Sequence, residues 1–567
     1  EALGMPADFA SGLREQFVAR TYHHPHLADR MLRTPGAELD VFGEQLLGSE
    51  YEGRIVAKLL GPGGAKAGVV SVRGLTTALL GFDEARAALM GLPRLEALAL
   101  APHALSTPAM GALAEVLQSS TSLRALSLGG AQKLLAADAA LLAASLARAA
   151  PVAPRGADAV VEAELDAAAA MIRAAIASGG GEPDAPAVPR MSPDEYAACA
   201  VGAVDLSGCV HAEAEAASPH DGRFGAVRGG VRNGVSAAPL PLSEADGVRS
   251  ASLALALTPL LRSPRLRELR LAGCCLGGDA ATLLCNALRG APALALLDLS
   301  SNQIGAGKDG SGALALADLV QASASLTSLD VSANGLADGP ILPLTQLCEA
   351  VGASRSLVAL EWQACYPQAK RLDETDQLKR TRWAELLARA ITDNKSLVSV
   401  DLSGQLLGTP GPSYVHALPA DSAQARIELR VGAGLGRAVR SHWALQRLSL
   451  AGTRLHDAGL AQLLGPLADH PALQTLDVSR SAVGALATAA LATLITTNRT
   501  LSSLTMRTAG VNADELVVLC GALQRNSTLR RLDLAGNDLG IADYDTAAAA
   551  AAAAAAAPAA PAADEPA

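Results

Sequence analysis

Aromatic side chains are nearly absent from this chain: five Phe, six Tyr and three Trp make up 2% of its 567 residues, although half of all residues are apolar. A core with so little aromatic volume must be filled by Leu, Ala and Val. That composition suits thin layers stacked closely better than one thick globule. The eight Cys include no CxxC pair for zinc and no disulfide spacing, and are expected to be reduced, intracellular thiols. Long apolar runs are missing too. No stretch of about 18 strongly apolar, charge-free residues occurs, and no basic segment followed by an apolar one opens the chain, so neither a membrane span nor a signal peptide is expected. The first residue is Glu1 rather than Met, which leaves a missing N-terminal segment open.

The motifs of catalysis and cofactor binding are lacking as well. GPGGAKAG at Gly61 has neither the spacing nor the hydroxyl of a phosphate-binding loop, and GAGLGR at Gly432 follows no strand with the continuation that dinucleotide binding needs. Neither GxSxG nor HExxH is present. His23, His24 and His26 are interrupted by Pro25 and have no Cys or acidic partner at helical spacing, so a solvated turn is expected there. Arg223, Arg228 and Arg232 lie in RFGAVRGGVRNG, which has some likeness to an RGG segment. A net charge of -10 and the scarcity of aromatics weigh against nucleic-acid binding. The chain is therefore expected to be no enzyme, and to carry no cofactor and no metal.

What the chain does have is a repeat. LQRLSLAGTRL from Leu445, LQTLDVSRSAV from Leu473, LSSLTMRTAGV from Leu501 and LRRLDLAGNDL from Leu529 recur at intervals of 28 residues. In the last copy Leu532 and Leu534 stand two apart, on one face of a short strand. Asn537 falls where the chain turns away, and a buried Asn there can bond the backbone of adjacent coils; Cys or Thr fills the slot less completely. After Leu455, the spacing of Gly459, Leu460, Leu463, Leu464 and Leu467 predicts a helix with one apolar face. One unit is thus a strand plus a helix, and such units must stack to bury their apolar faces.

The same frame recovers units opening at Leu266, Leu294, Leu326, Leu357 and Leu397, and, near the start, at Leu95 and Leu123. Degenerate copies begin at Ala67 and Val201, for about thirteen strands in all. Cys209, Cys274 and Cys365 occupy the turn position held by Asn302, Asn334 and Asn537 in sister units, a structural role.

These windows resemble the leucine-rich repeat superfamily, and within it the ribonuclease-inhibitor-like class. The resemblance covers about two-thirds of the chain. It implies an α/β solenoid, a horseshoe with a concave parallel sheet and convex helices, and it names no partner. The chain divides into a mostly helical N-terminal cap (1–66), first repeats (67–150), an insertion with a helix, loose loops and one degenerate repeat (151–250), the main array (251–542) and a low-complexity Ala/Pro tail (543–567) that is disordered or weakly helical.

Two surfaces are candidates for binding. Units longer than 28 residues carry their excess after the strand and before the helix, which places the loops bearing Lys308, Tyr366, Lys370, Arg371 and Tyr414 along one rim. Drift at a permissive site would give the same pattern. The second surface is the concave sheet. Its outward column reads Asp205, Arg270, Asp298, Asp330, Glu361, Asp401, Ser449, Asp477, Thr505 and Asp533. The acidic members Asp298, Asp330, Glu361, Asp401, Asp477 and Asp533 would repel one another and form a stripe suited to a basic partner. Against this, an acidic residue is common at this slot in the family, and a neighbouring Ser or Arg can relieve the repulsion.

The leading expectation is a non-catalytic scaffold that binds a protein partner, basic if the column makes the contact. The alternatives are a GTPase-activating regulator of the Ran type, whose family uses this repeat class, and the repeat half of an innate-immune sensor. The family's acidic tail is replaced here by Ala and Pro, and neither Arg73 nor Arg124 can be matched to its arginine. The Ala bias resembles leucine-rich subunits of the ciliary axoneme, which implies a cytoplasmic or ciliary setting.

Overall fold

A computed structural model of the chain describes residues 38–41, 50–64, 66–101, 107–120, 122–129, 136–147, 202–207, 244–289, 291–305, 309–363, 374–405, 407–408 and 422–539. Among them, fourteen strands form one parallel sheet in chain order. They are β1 (Glu38–Asp40), β2 (Ser71–Leu75), β3 (Ala97–Leu100), β4 (Ala125–Ser127), β5 (Ala203–Asp205), β6 (Glu268–Arg270) and β7 (Leu296–Asp298). The series continues with β8 (Ser328–Asp330), β9 (Ala359–Glu361), β10 (Ser399–Asp401), β11 (Arg447–Ser449), β12 (Thr475–Asp477), β13 (Ser503–Thr505) and β14 (Arg531–Asp533). The sheet is open, and the helices between strands form a second layer in which each packs on its neighbours. This is an α/β solenoid.

The second residue of each strand from β1 to β13 points into the space between the layers and is 3% exposed or less. One continuous core therefore runs from Leu39 to Ala522, built by Leu, Val and Ala. Thirteen of the strands sit where the repeat frame predicts, including β2 and β5 from the degenerate copies. The fourteenth, β1, was not legible. Its unit has Gly36 at the leading-leucine position and Glu44 at the Asn position, so the frame disappears although Leu39 is fully buried.

The turn after the strand is held by a ladder of buried polar side chains. Asn302 Nδ2 donates to the carbonyls of Leu271 and Leu299 at 2.8 Å each, and its Oδ1 accepts from Leu276 N at 3.0 Å. Asn334 repeats this with Leu299, Val331 and Ile304, and Asn537 with Met506, Leu534 and Ala509. Cys274 Sγ donates across coils to Leu206 O at 3.1 Å. The Thr453 and Ser481 hydroxyls are buried at the same position with no partner. Cys209 and Cys365 lie outside the described residues. In one unit Gln405 replaces Asn: its Nε2 donates to Trp362 O and its Oε1 accepts from Trp383 Nε1 at 3.0 Å. The two buried indoles pack edge to face, with centroids 4.8 Å apart.

The residue before this position adopts left-handed φ in unit after unit. It is Gly273, Gly404, Gly452 and Gly536 in some, and Ser301, Ala333, Arg480 and Thr508 in others. A second ladder lies at the opposite end of the strand, three residues before each leading leucine. Asn394, Asn498 and Asn526 cap the following Leu N–H through Oδ1 and donate to carbonyls of the preceding unit, and His470 does the same through its two ring nitrogens.

The insertions leave this frame intact. β4 and β5 are 78 residues apart yet adjacent, with Ser127 Oγ donating to Asp205 Oδ2 at 2.8 Å. The helix Glu244–Leu261, which crosses the end of the stretch 151–250, packs on the helix Ala136–Ala147 and continues the convex layer.

Candidate functional site

The concave column exists as one row. Strand pairing places Asp298 opposite Asp330, Asp330 opposite Glu361, Glu361 opposite Asp401, and carries the row through Ser449, Asp477 and Thr505 to Asp533. Adjacent strands are about 5 Å apart, so four consecutive carboxylates occupy about 15 Å.

Each Asp of this row also serves its own turn. The backbone N–H two residues later donates to Oδ1 in Asp205, Asp298, Asp330, Asp401, Asp477 and Asp533, at 2.8–3.1 Å. One carboxylate oxygen is thereby spent on ending the strand, which explains why Asp recurs there. The other oxygen faces the concave side.

The row differs along its length in how its charge is compensated. At the ends arginines intervene: Arg73 lies 3.7 Å from Asp40, Arg270 is 2.9 Å from Glu268, and Arg507 is 3.3 Å from Asp533. Among the described residues no Lys, Arg or His pairs with Asp298, Asp330, Glu361 or Asp401, and the Asp401 Oδ2 contact is the neutral amide of Gln363 at 3.0 Å. Asp477 likewise has no ion pair among the described residues, but Ser449 and Thr505 separate it from other acids.

Three of these carboxylates, those of Asp330, Glu361 and Asp401, resist ionising. Burial pushes the Asp330 carboxyl up to about 7, against the help of Ser332 and with the added repulsion of Asp298 and Glu361. Glu361 reaches solvent, but partial desolvation of its carboxyl between strands, and then the charge of Asp401, raise it above its ordinary value. Asp401 is raised by burial, which outweighs its bonds to Ser403 and Ser449. Near neutral pH Asp330 is therefore part-protonated, and a cation could displace that proton.

The rim residues Lys308, Tyr366, Lys370, Arg371 and Tyr414 lie outside the described residues, as do His23, His24, His26, Arg223, Arg228 and Arg232. The chain leaves after β9 at Gln363 and returns at the helix Glu374–Asp393, and it leaves after β10 at Gly408 and returns at the helix Ala423–Ser441. The glycine motif at Gly432 sits within that last helix. A Cβ on Gly432 would meet Gly459 O at 2.1 Å and one on Gly436 would meet Leu463 O at 2.7 Å, so these glycines let two helices approach closely.

A Leucine Rich repeat family model matches residues 525–540, around β14. The chain fits a leucine-rich repeat protein. The Tonsoku-like protein of Mus musculus is 34% identical over 258 residues, covering 42% of this chain and 18% of that relative. The Tonsoku-like protein of Bos taurus is 34% identical over 242 residues, covering 39% of this chain and 16% of that relative. The chain thus matches less than a fifth of the length of either. Among the described residues of the repeat protein, no helix is long and apolar enough to cross a membrane.

Proposed function

We propose that this leucine-rich repeat protein is a non-catalytic interaction scaffold of the ribonuclease-inhibitor-like class, whose concave sheet receives a basic segment of a partner protein. One observation carries the reading: Asp298, Asp330, Glu361 and Asp401 stand in register and none of them forms an ion pair among the described residues, Arg270 beside Asp298 being bonded to Glu268. Asp477 and Asp533 extend the same face. An extended segment of four to five residues spans the same stretch of about 15 Å, and Lys or Arg within it would offset the repulsion. The rim loops with Lys308, Tyr366, Lys370, Arg371 and Tyr414 supply further contacts beside it. The free thiols of Cys285 and Cys348, both buried, suit a reducing setting such as cytoplasm or cilium.

The test is calorimetric titration of the full chain with an Arg-rich peptide, against a variant carrying Asp298→Asn, Asp330→Asn and Asp401→Asn. Asn keeps the turn-ending acceptor, so the fold is retained. Affinity should fall about tenfold or more in the variant, since each charge-assisted contact contributes roughly 1.5–3 kcal/mol. Binding near pH 7 should also release protons, seen as a dependence on buffer ionisation enthalpy. Equal affinity in the two proteins would remove the column from the proposal.

A further inference from the structure

We infer that the helix-to-strand rim of the last four units binds an acidic segment of a partner protein, at a site separate from the carboxylate column. An open groove of ≈ 630 Å³ lies there, and its lining includes Gln446, Gln474, Arg499, Ser527 and Arg530 but no carboxylate. Arg499 and Arg530 are both exposed. The neighbouring ion pairs, Arg440–Asp469 and Arg507–Asp533, leave them out.

The polar groups around the groove divide by role. Thr500 Oγ1 donates to Leu473 O at 2.9 Å, Ser502 Oγ to Gln474 O at 3.2 Å and Thr528 Oγ1 to Asn498 O at 3.4 Å. These hydroxyl protons are spent on holding coils together. What faces outward is two guanidinium forks and two primary amides, a set rich in donors that selects an anion with acceptor oxygens in a plane.

The extent of the groove points to a peptide rather than a single small anion. It spans the units opening at Leu445, Leu473, Leu501 and Leu529, which at about 5 Å per strand is roughly 15 Å, the length of four to five extended residues. Pro471 and Ala472 add apolar surface between the polar groups. Trp443 extends it, standing two residues before its leading leucine as Pro471, Arg499 and Ser527 do, and it is 65% exposed. Trp443 stands about 10 Å along the same row from Arg499, and Trp and Arg are the residue types enriched at interface centres.

The site can be tested in the full chain with a short Glu-rich peptide and its Gln-rich counterpart. Trp362 and Trp383 are fully buried, so a change in indole emission on titration reports on Trp443. The Glu peptide should bind and shift that emission, with affinity falling as salt rises, and the Gln peptide should not. Arg499→Ala with Arg530→Ala should weaken it about tenfold or more. The triple Asn variant of the column should keep full affinity, which separates this site from the concave one. No saturable binding of the Glu peptide, or equal binding by the double Ala variant, would overturn the assignment.

Discussion

At the scale of single residues, the recurring Asp of the strand performs two tasks at once. Its Oδ1 ends the strand, and its remaining oxygen loads the concave face with charge that its neighbours resist. Asp330 makes the conflict measurable. Its folded value of about 7 lies above the ordinary 3.8, so between those values the folded chain holds a proton that the unfolded chain has lost. Stability must then fall as pH rises through that window. Asp330→Asn, which keeps the acceptor for Ser332 N, should escape the penalty. Its urea midpoint should pull ahead of the parent's as pH rises from about 4 to about 7 and the gap should level off above; a constant gap would show that the carboxyl titrates normally. The acidic column was legible in the sequence because the strand frame places one residue between the inward leucines. Its unequal compensation was only partly legible, because Arg270 bonds Glu268 within one strand whereas Arg507 reaches Asp533 of the next unit, a pairing that only the stacking of units sets.

At the scale of elements, a strand of three residues and a helix of about three turns are stable only as layers against their neighbours. The helix Ala423–Ser441 shows how closely they meet. Gly432 faces Gly459 O so tightly that a methyl has no room, whereas Gly434 has nothing within 4 Å of a Cβ. Gly432→Ala should therefore cost about 1–3 kcal/mol by forcing the helices apart. Gly434→Ala should gain about 0.5–1 kcal/mol through helix propensity alone. Chemical denaturation of the two variants checks the pair, and similar shifts would mean that the contact with Gly459 is not maintained. A glycine-rich string such as GAGLGR reads the same on paper whether it cradles a phosphate or another helix. The capping ladder of Asn394, Asn498, Asn526 and His470 went unread for a different reason: it lies just before the leucine that opens the repeat phrase. Its signal was the phrase Asn-x-Ser/Thr-Leu at Asn394, Asn498 and Asn526.

At the scale of the whole molecule, a solenoid has ends, and burial records them. Leu476 in β12 is fully buried, while Leu532 in β14 is only half-buried at the last described strand. Leu476→Ala should cost about 2–5 kcal/mol, and Leu532→Ala clearly less. Hydrogen exchange should likewise show β14 opening before β12. Equal costs would indicate that the end coil is sealed as tightly as the middle. The molecule also carries opposite charge on two surfaces. The uncompensated acids cluster in β7 to β10, and the free arginines of the groove lie before β13 and β14, so one partner could engage both only with complementary segments at that separation.

The sequence by itself determined the alternation of strand and helix, the inward leucines, the turn asparagines and thirteen of the fourteen strands, because each follows from a local period of two, of about 3.6, or of 28 residues. Tertiary structure decided that β4 and β5 are neighbours across 78 residues, that β1 belongs to the sheet, which carboxylates lack a counter-charge, and that four units share one Arg-lined groove. These depend on which side chains lie within about 5 Å across coils, a distance that chain separation does not encode.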